Sequence, residues 1–188
     1  TITAADSIKQ GTPEVRPTYQ RAKGKPVQGL GWSGKDRVGG PSAQSVTDQN
    51  KGRSTSQAFI QQGADIIFPV AGQTGWGSGA AAQAAAGKVS VMWVDTDGCL
   101  SAAQYCKFFL TSVTKNLTDS VTKYATASAA GTFPTGSYIG DLKNEGTGLA
   151  PFHQFESKGP AGLNTELQQV KAHIISGKIA ITSPSQAK

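Results

Sequence analysis

A chain of 188 residues, 37% hydrophobic and only 16% charged, is long enough for one well-cored α/β domain and too apolar to be a disordered, solvating polypeptide. No stretch approaches about 20 consecutive apolar residues, which argues against a membrane-spanning helix, and no basic-then-apolar signal region opens the sequence. The net charge of +6 is scattered from Lys9 and Arg16 to Lys188, without a basic run or interleaved aromatics, so no nucleic-acid partner is expected.

Residues 1–26 are polar and interrupted by Pro13, Pro17 and Pro26, and read as an irregular N-terminal segment. Residues 26–32 have the content of a short strand, and 33–48, with Gly39, Gly40 and Pro41, that of a loop. Asp48 is placed to cap a helix running to about Gln62, with Ala58, Phe59 and Gln62 near one face and Gly63 as its stop. Residues 64–71 carry Ile66, Ile67, Phe68, Pro69 and Val70 in succession, the pattern of a parallel strand buried on both faces.

A glycine-rich turn over 72–79 then leads into an alanine-rich helix over 80–86, and residues 89–94 form a second apolar strand ending at Asp95-Thr96-Asp97. Strand, turn, helix and strand within about thirty residues make a βαβ unit, with a right-handed crossover in a parallel sheet. The alternation continues with a strand over 108–113, a threonine-weakened helix over 117–130, a strand over 138–142 and a loop over 143–155. Asn164 is placed to cap a last helix with Leu167, Val170 and Ile174 on one face, stopped by Gly177 and followed by a short strand over 179–182.

One motif points to a nucleotide. Gly75-Trp76-Gly77-Ser78-Gly79-Ala80 fits G-x-G-x-x-A after a strand and before a helix, and Asp95 stands twenty residues beyond Gly75. Against that reading, the first glycine comes several residues after the strand ends, and no acid–base pair for hydride transfer accompanies it. His153 and His173 have bland readings, in a loop and on the polar side of a helix. What survives either reading is geometric: ligands of an open parallel sheet bind at the carboxyl ends of the strands. Asp95 lies at such an end, and its two carboxylate oxygens match a pair of adjacent hydroxyls. The alternative, a turn or helix cap, suits Asp97-Gly98 better than Asp95. Cys99 and Cys106 are seven positions apart, either as a local disulfide or as two buried thiols. Too few ligands stand near them in sequence for a metal site, and no metal is expected.

Four blocks resemble the basic-membrane-protein (PnrA-like) family of ABC-transporter substrate-binding lipoproteins, with wording closest to actinobacterial members. They are residues 63–75 (GADIIFPVAGQTG), 94–97 (VDTD), 110–116 (LTSVTKN) and 146–152 (GTGLAPF), in the family's order and approximate spacing. The resemblance covers about residues 28–184, and the ending Ile174-Ile175-Ser176-Gly177-Lys178-Ile179 adds to it. It implies an α/β, type I periplasmic-binding-protein-like fold with a parallel sheet flanked by helices. Residues 27–109 would be the βαβ core of the ligand-binding lobe, 110–155 hinge and crossover segments towards the first lobe, and 156–188 the closing helix and strand. The first lobe would be largely missing from the chain.

The implied function is extracytoplasmic solute binding for an ABC importer, without catalysis or a cofactor, with a purine nucleoside as the commonest ligand. The implied partners are that small molecule and the importer permease. Membrane attachment would be only through an N-terminal lipid anchor absent from this chain. Carried over position by position, Asp95 matches the carboxylate that binds ribose hydroxyls, Lys115 the lysine of the cleft, and Gly72 the strand-end glycine whose backbone approaches the sugar. Phe68 and Trp76 are the aromatics nearest that edge; Phe68 suits the core better than the site, whereas Trp76 in a glycine turn is harder to explain by packing alone. An exported setting favours the Cys99–Cys106 disulfide over free thiols. The competing readings are a cofactor-binding enzyme domain using residues 75–80, and a shortened binding-protein lobe without transport function.

Overall fold

In a computed structural model of the chain, the described residues are Leu30 and 43–180. The segment expected over 1–26, the strand over 26–32 apart from Leu30, most of the loop over 33–48 and the end of the strand over 179–182 lie outside them.

Asp48 caps the first described helix, α1 (Gln49–Gln61), by accepting the Lys51 amide at 3.1 Å on its carboxylate. Gly63, at φ +93°, takes the left-handed conformation that ends the turn. The inward face differs from expectation. Gly52, Ser56 and Phe59 are buried, whereas Gln62 is exposed. The reason is the partner: α1 lies against the helix α2 (Trp76–Ala84) through the smallest residues of both. A Cβ on Gly52 would overlap the Thr74 carbonyl, and one on Gly77 would overlap the Gln49 carbonyl and the Arg53 amide. Between them the hydroxyls of Ser56 and Ser78, both buried, share a 2.8 Å hydrogen bond.

Helix α2 begins at Trp76, not Ala80, because residues Gly72–Gly75 already form a 3-10 turn that feeds it. A Gly77→Ala substitution is therefore expected to destabilise the chain by about 2–3 kcal/mol, since neither backbone can retreat without repacking α1. A chemical-denaturation midpoint unchanged from the parent would refute this close helix contact.

The sheet has four described strands in the order β1-β2-β3-β4. β1 is short, only Ile66–Ile67, and pairs in parallel with β2 (Ser90–Asp95). It is not buried on both faces: Ile67 is 2% exposed but Ile66 47% and Val70 46%. Pro69 has no amide hydrogen to continue a ladder, and Ile66 faces away from the core. β2 pairs in parallel with β3 (Phe109–Lys115), with Asp95 level with Thr114. The expected parallel βαβ pairing is present.

β4 is Thr147–Leu149 and runs antiparallel to β3. The strand expected over 138–142 does not form. Asp141 instead accepts the Lys143 and Asn144 amides, both at 2.8 Å, and Asn144 accepts those of Asp141 and Gly146 at 2.9 Å. These local side-chain bonds hold a turn in competition with a ladder.

The core gathers Phe59, Ile67, Val91, Trp93, Phe108 and Phe109, with Trp93 and Phe109 stacked at 5.1 Å between ring centroids. Leu30, Trp76 and Tyr105 pack against it. Beyond the 3-10 segment Ala103–Phe108 and β3, helix α4 (Leu117–Ala129; α3 is the single turn Gly98–Ser101) has no buried residue. Helix α5 (Leu163–Ile175) is entered through Gly162 at φ +85°, not capped by Asn164. Asn164 lies inside the helix and donates its side-chain amide to Glu156 at 2.5 Å. Leu167, Val170 and Ile174 are half-buried, and Gly177 at φ +75° follows the helix. Ile179 is buried and donates its amide to the His173 carbonyl at 3.0 Å, without strand pairing among the described residues. No helix of the described residues is long and apolar enough to cross a membrane.

Candidate functional site at the carboxyl edge of the sheet

Three parallel strands end on the same edge, so the residues that follow β1, β2 and β3 face a common space. Asp95 is the last residue of β2 and Lys115 the last of β3. Their side chains meet, Lys115 Nζ lying 2.6 Å from Asp95 Oδ1. With 63% and 49% of these side chains exposed, the ion pair stands in solvent, where it contributes little to stability and opens readily to a competing ligand. One carboxylate oxygen and the remaining ammonium protons are then available as acceptor and donors side by side.

Asp95 also has φ +70°, a left-handed conformation that costs a non-glycine residue free energy. The chain holds it because β2 is paired on one side up to that residue, and Asp97 immediately starts the next turn. Lys115 is held by its pairing with Thr147 across β4 and by Asn116, whose side chain accepts the Asp119 amide at 3.2 Å to cap α4. The Thr147 hydroxyl adds a 2.9 Å bond to the Thr114 carbonyl.

The other sequence-derived candidates are more dispersed. Phe68 directly follows β1 and is half-buried. Gly72, exposed at φ +56°, opens the 3-10 turn, and a side chain there would crowd the Val46 carbonyl. Trp76 starts α2 and is half-buried against the core. The structure thus brings Asp95 and Lys115 into contact and places Phe68 and Gly72 in the segment leaving the neighbouring strand.

The fingerprint glycines have another role. Gly77 faces the α1 backbone, and a Cβ on Gly79 would strike the Tyr105 ring. Both are buried inside a helix, so neither offers its backbone to a pyrophosphate. Close packing explains the spacing that imitates a dinucleotide motif.

Beside the site, Asp97 Oδ1 accepts the Cys99 amide at 2.9 Å and caps α3, the role its Asp-Gly context predicts. Its other oxygen meets His153 Nε2 at 2.8 Å, a contact the sequence reading missed. Fifty-six positions separate the two residues, and no local pattern joins them. Cys99 and Cys106 form a disulfide across the same short segment. The Gly98 amide donates to the buried Ser112 hydroxyl at 2.9 Å, which ties this loop to β3.

A shallow depression of about 290 Å³ lies elsewhere, at the start of α5, lined by Phe152, Glu156, Pro160, Leu163 and Asn164. It shares no residue with the Asp95–Lys115 edge.

Comparison with known proteins gives a consistent result. The family model for PnrA-like ABC transporter substrate-binding proteins matches residues 38–183. No curated protein matches the sequence. Among solved structures, an ABC transporter solute-binding protein from Aeropyrum pernix K1 superposes with a TM-score of 0.64 at 17% identity, over 97% of this chain and 64% of that one. A solute-binding protein of an ABC transporter system from Conexibacter woesei DSM 14684 gives 0.54 at 22% identity, over 72% and 43%. A transcriptional activator of the comK gene from Bacillus halodurans gives 0.59 at 16% identity, over 71% and 44%. The chain therefore spans between 43% and 64% of the length of these structures. The shared fold is α/β and periplasmic-binding-protein-like, with a parallel-dominated sheet flanked by helices.

Proposed function

The chain belongs to the PnrA-like family of ABC transporter substrate-binding proteins, and from that premise we propose that it forms the ribose-gripping side of a nucleoside-binding cleft serving an importer. The observation that carries the ligand class is the Asp95–Lys115 pair at the carboxyl edge of adjacent parallel strands. A carboxylate accepts from two neighbouring hydroxyls, and an ammonium beside it donates to their oxygens. That combination suits a neutral diol better than a phosphate, which the carboxylate would repel. Phe68, leaving β1, and the exposed part of Trp76 are the aromatic surfaces that would border a purine.

The role is binding without catalysis, and the importer permease is the macromolecular partner. Residues 110–155 act as hinge and crossover: β4 returns antiparallel on β3, and α4 leaves Leu117 and Val121 exposed for a further surface to cover. Residence outside the cytoplasm, with a lipid anchor on the natural polypeptide, belongs to the same reading. Isothermal titration of the full-length protein with guanosine, inosine, adenosine and their free bases tests it directly. Binding of nucleosides but not of free bases is the expected outcome, and absence of heat with every nucleoside rejects the proposal.

A further inference from the structure

The fold assembles a second group of residues that the cleft does not use. Asp97, Cys99 and His153 each present one ligand atom, and these atoms all lie within 4.8 Å of one another. Cys106 joins them through its disulfide to Cys99, with the two Cα atoms 4.5 Å apart. We propose that reduction of the Cys99–Cys106 disulfide converts this cluster into a tetrahedral site for zinc, with Asp97, Cys99, Cys106 and His153 as its four ligands.

In the disulfide form only a carboxylate and an imidazole are effective donors, and they are already engaged with each other at 2.8 Å. A dithiol reductant supplies two electrons and two protons, becomes its own disulfide, and leaves two cysteine thiols. A divalent ion then displaces the thiol protons and takes both thiolates. Two sulfurs, one nitrogen and one oxygen form a set that suits zinc and disfavours calcium or magnesium.

Three of the four ligands are already gathered, and the fourth is tied to one of them. Ligand atoms of a tetrahedral zinc site stand about 3.5 Å apart, given zinc bonds of about 2.0–2.3 Å. The ligand atoms of Asp97, Cys99 and His153 already lie within 4.8 Å of one another. An ion entering there parts Asp97 from His153, and the Cys106 sulfur, bonded to Cys99 in the oxidised form, must swing in once released to complete the set. Asp97 keeps its other oxygen on the Cys99 amide at 2.9 Å, which fixes the carboxylate towards the ion. The ion would join the loop after β2 to the turn His153–Phe155, two segments that the Asp97–His153 contact already links.

The test uses the full chain, oxidised or reduced with a phosphine, which takes oxygen from water as it opens the disulfide. Zinc is titrated against a chromogenic chelator, and cobalt is added in parallel for its thiolate charge-transfer and tetrahedral ligand-field bands. One zinc per reduced chain is expected, bound about 100-fold more weakly by the oxidised chain and by reduced His153→Ala or Asp97→Asn. The cobalt spectrum should lose its tetrahedral intensity in His153→Ala while keeping thiolate absorption. Equal affinity of the reduced parent and His153→Ala would show thiolate capture alone and overturn the site. So would equal zinc binding by the oxidised chain, or a reduced chain that loses its far-ultraviolet circular dichroism and binds no zinc.

Discussion

Asp95→Ala is expected to weaken nucleoside binding on the order of a hundredfold while leaving folding stability within about 1 kcal/mol of the parent. The two effects separate because the carboxylate contributes little to the fold. Its partner Lys115 is a solvent-exposed cation, and an exposed ion pair of this kind adds about 0–1 kcal/mol. In a closed complex the same carboxylate would hold a ribose diol away from water, where each charge-assisted hydrogen bond contributes about 1.5–3 kcal/mol. Asp95→Gly sharpens the distinction. Glycine relieves the φ +70° conformation, which offsets its greater freedom in the unfolded chain, so stability should again stay within about 1 kcal/mol. Binding should fall as far as in the alanine variant. Removing the ligand's 2′-hydroxyl should weaken the parent about tenfold and leave both variants unaffected, the signature of a direct contact in a double-mutant cycle. Titration calorimetry on the full-length protein measures each arm, and equal affinity of Asp95→Ala and parent for every nucleoside would remove Asp95 from the site.

Phe109→Ala should be the most destabilising single change in the described core, by about 4 kcal/mol. Phe109 is 1% exposed, stacks on Trp93 and opens β3, whose far end carries Lys115. Its ring also lies where a Cβ on Gly98 would go, so it supports the loop that follows Asp95. Deleting it leaves a cavity bounded by Trp93 and the α3 turn, with the sheet unable to collapse fully around it. The urea midpoint should drop sharply at an unchanged denaturant slope. A shift under about 1 kcal/mol would mean that the Trp93–Phe109 stack is not the centre of the core.

Together these two residues show how the fold positions the candidate site. Parallel pairing brings the ends of β2 and β3 level, and the aromatic stack beneath keeps them there. The candidate site is small: two charged side chains on adjacent strand ends, one in a strained backbone conformation. Strain held at an exposed polar residue by a well-paired strand is more common at functional positions than elsewhere.

Much of this was legible in the sequence because the signals are local. Asp48 followed by a helical stretch announces a cap, and the observed helix starts one residue later. The apolar runs before Asp95 and within 108–113 are strands because a central parallel strand needs apolar residues in succession, and both strands formed. The first of these runs places Asp95 at a strand end, whereas Lys115, two residues beyond the strand expected over 108–113, was pointed to only by the family resemblance. Gly63 and Gly177 marked helix ends because their positive φ is a property of single residues.

Other features depend on neighbours distant in the chain, and there local pattern misleads. The sequence by itself determined the helices that follow Asp48, Asn116 and Gly162, the strand that ends at Asp95 and the family's blocks, since each is written within a few consecutive residues. Only the tertiary structure decided that Gly77 and Gly79 pack against α1 and Tyr105 instead of cradling a phosphate. It alone placed the fourth strand at Thr147–Leu149, where β3 offers a free edge, and left 138–142 to a turn made by Asp141 and Asn144. It alone set His153 against Asp97, fifty-six positions away, beside a disulfide. The physical reason is common to all three. Backbone propensity is a property of adjacent residues, whereas close approach, strand partnership and ligand geometry belong to pairs of segments that meet only once the sheet has formed.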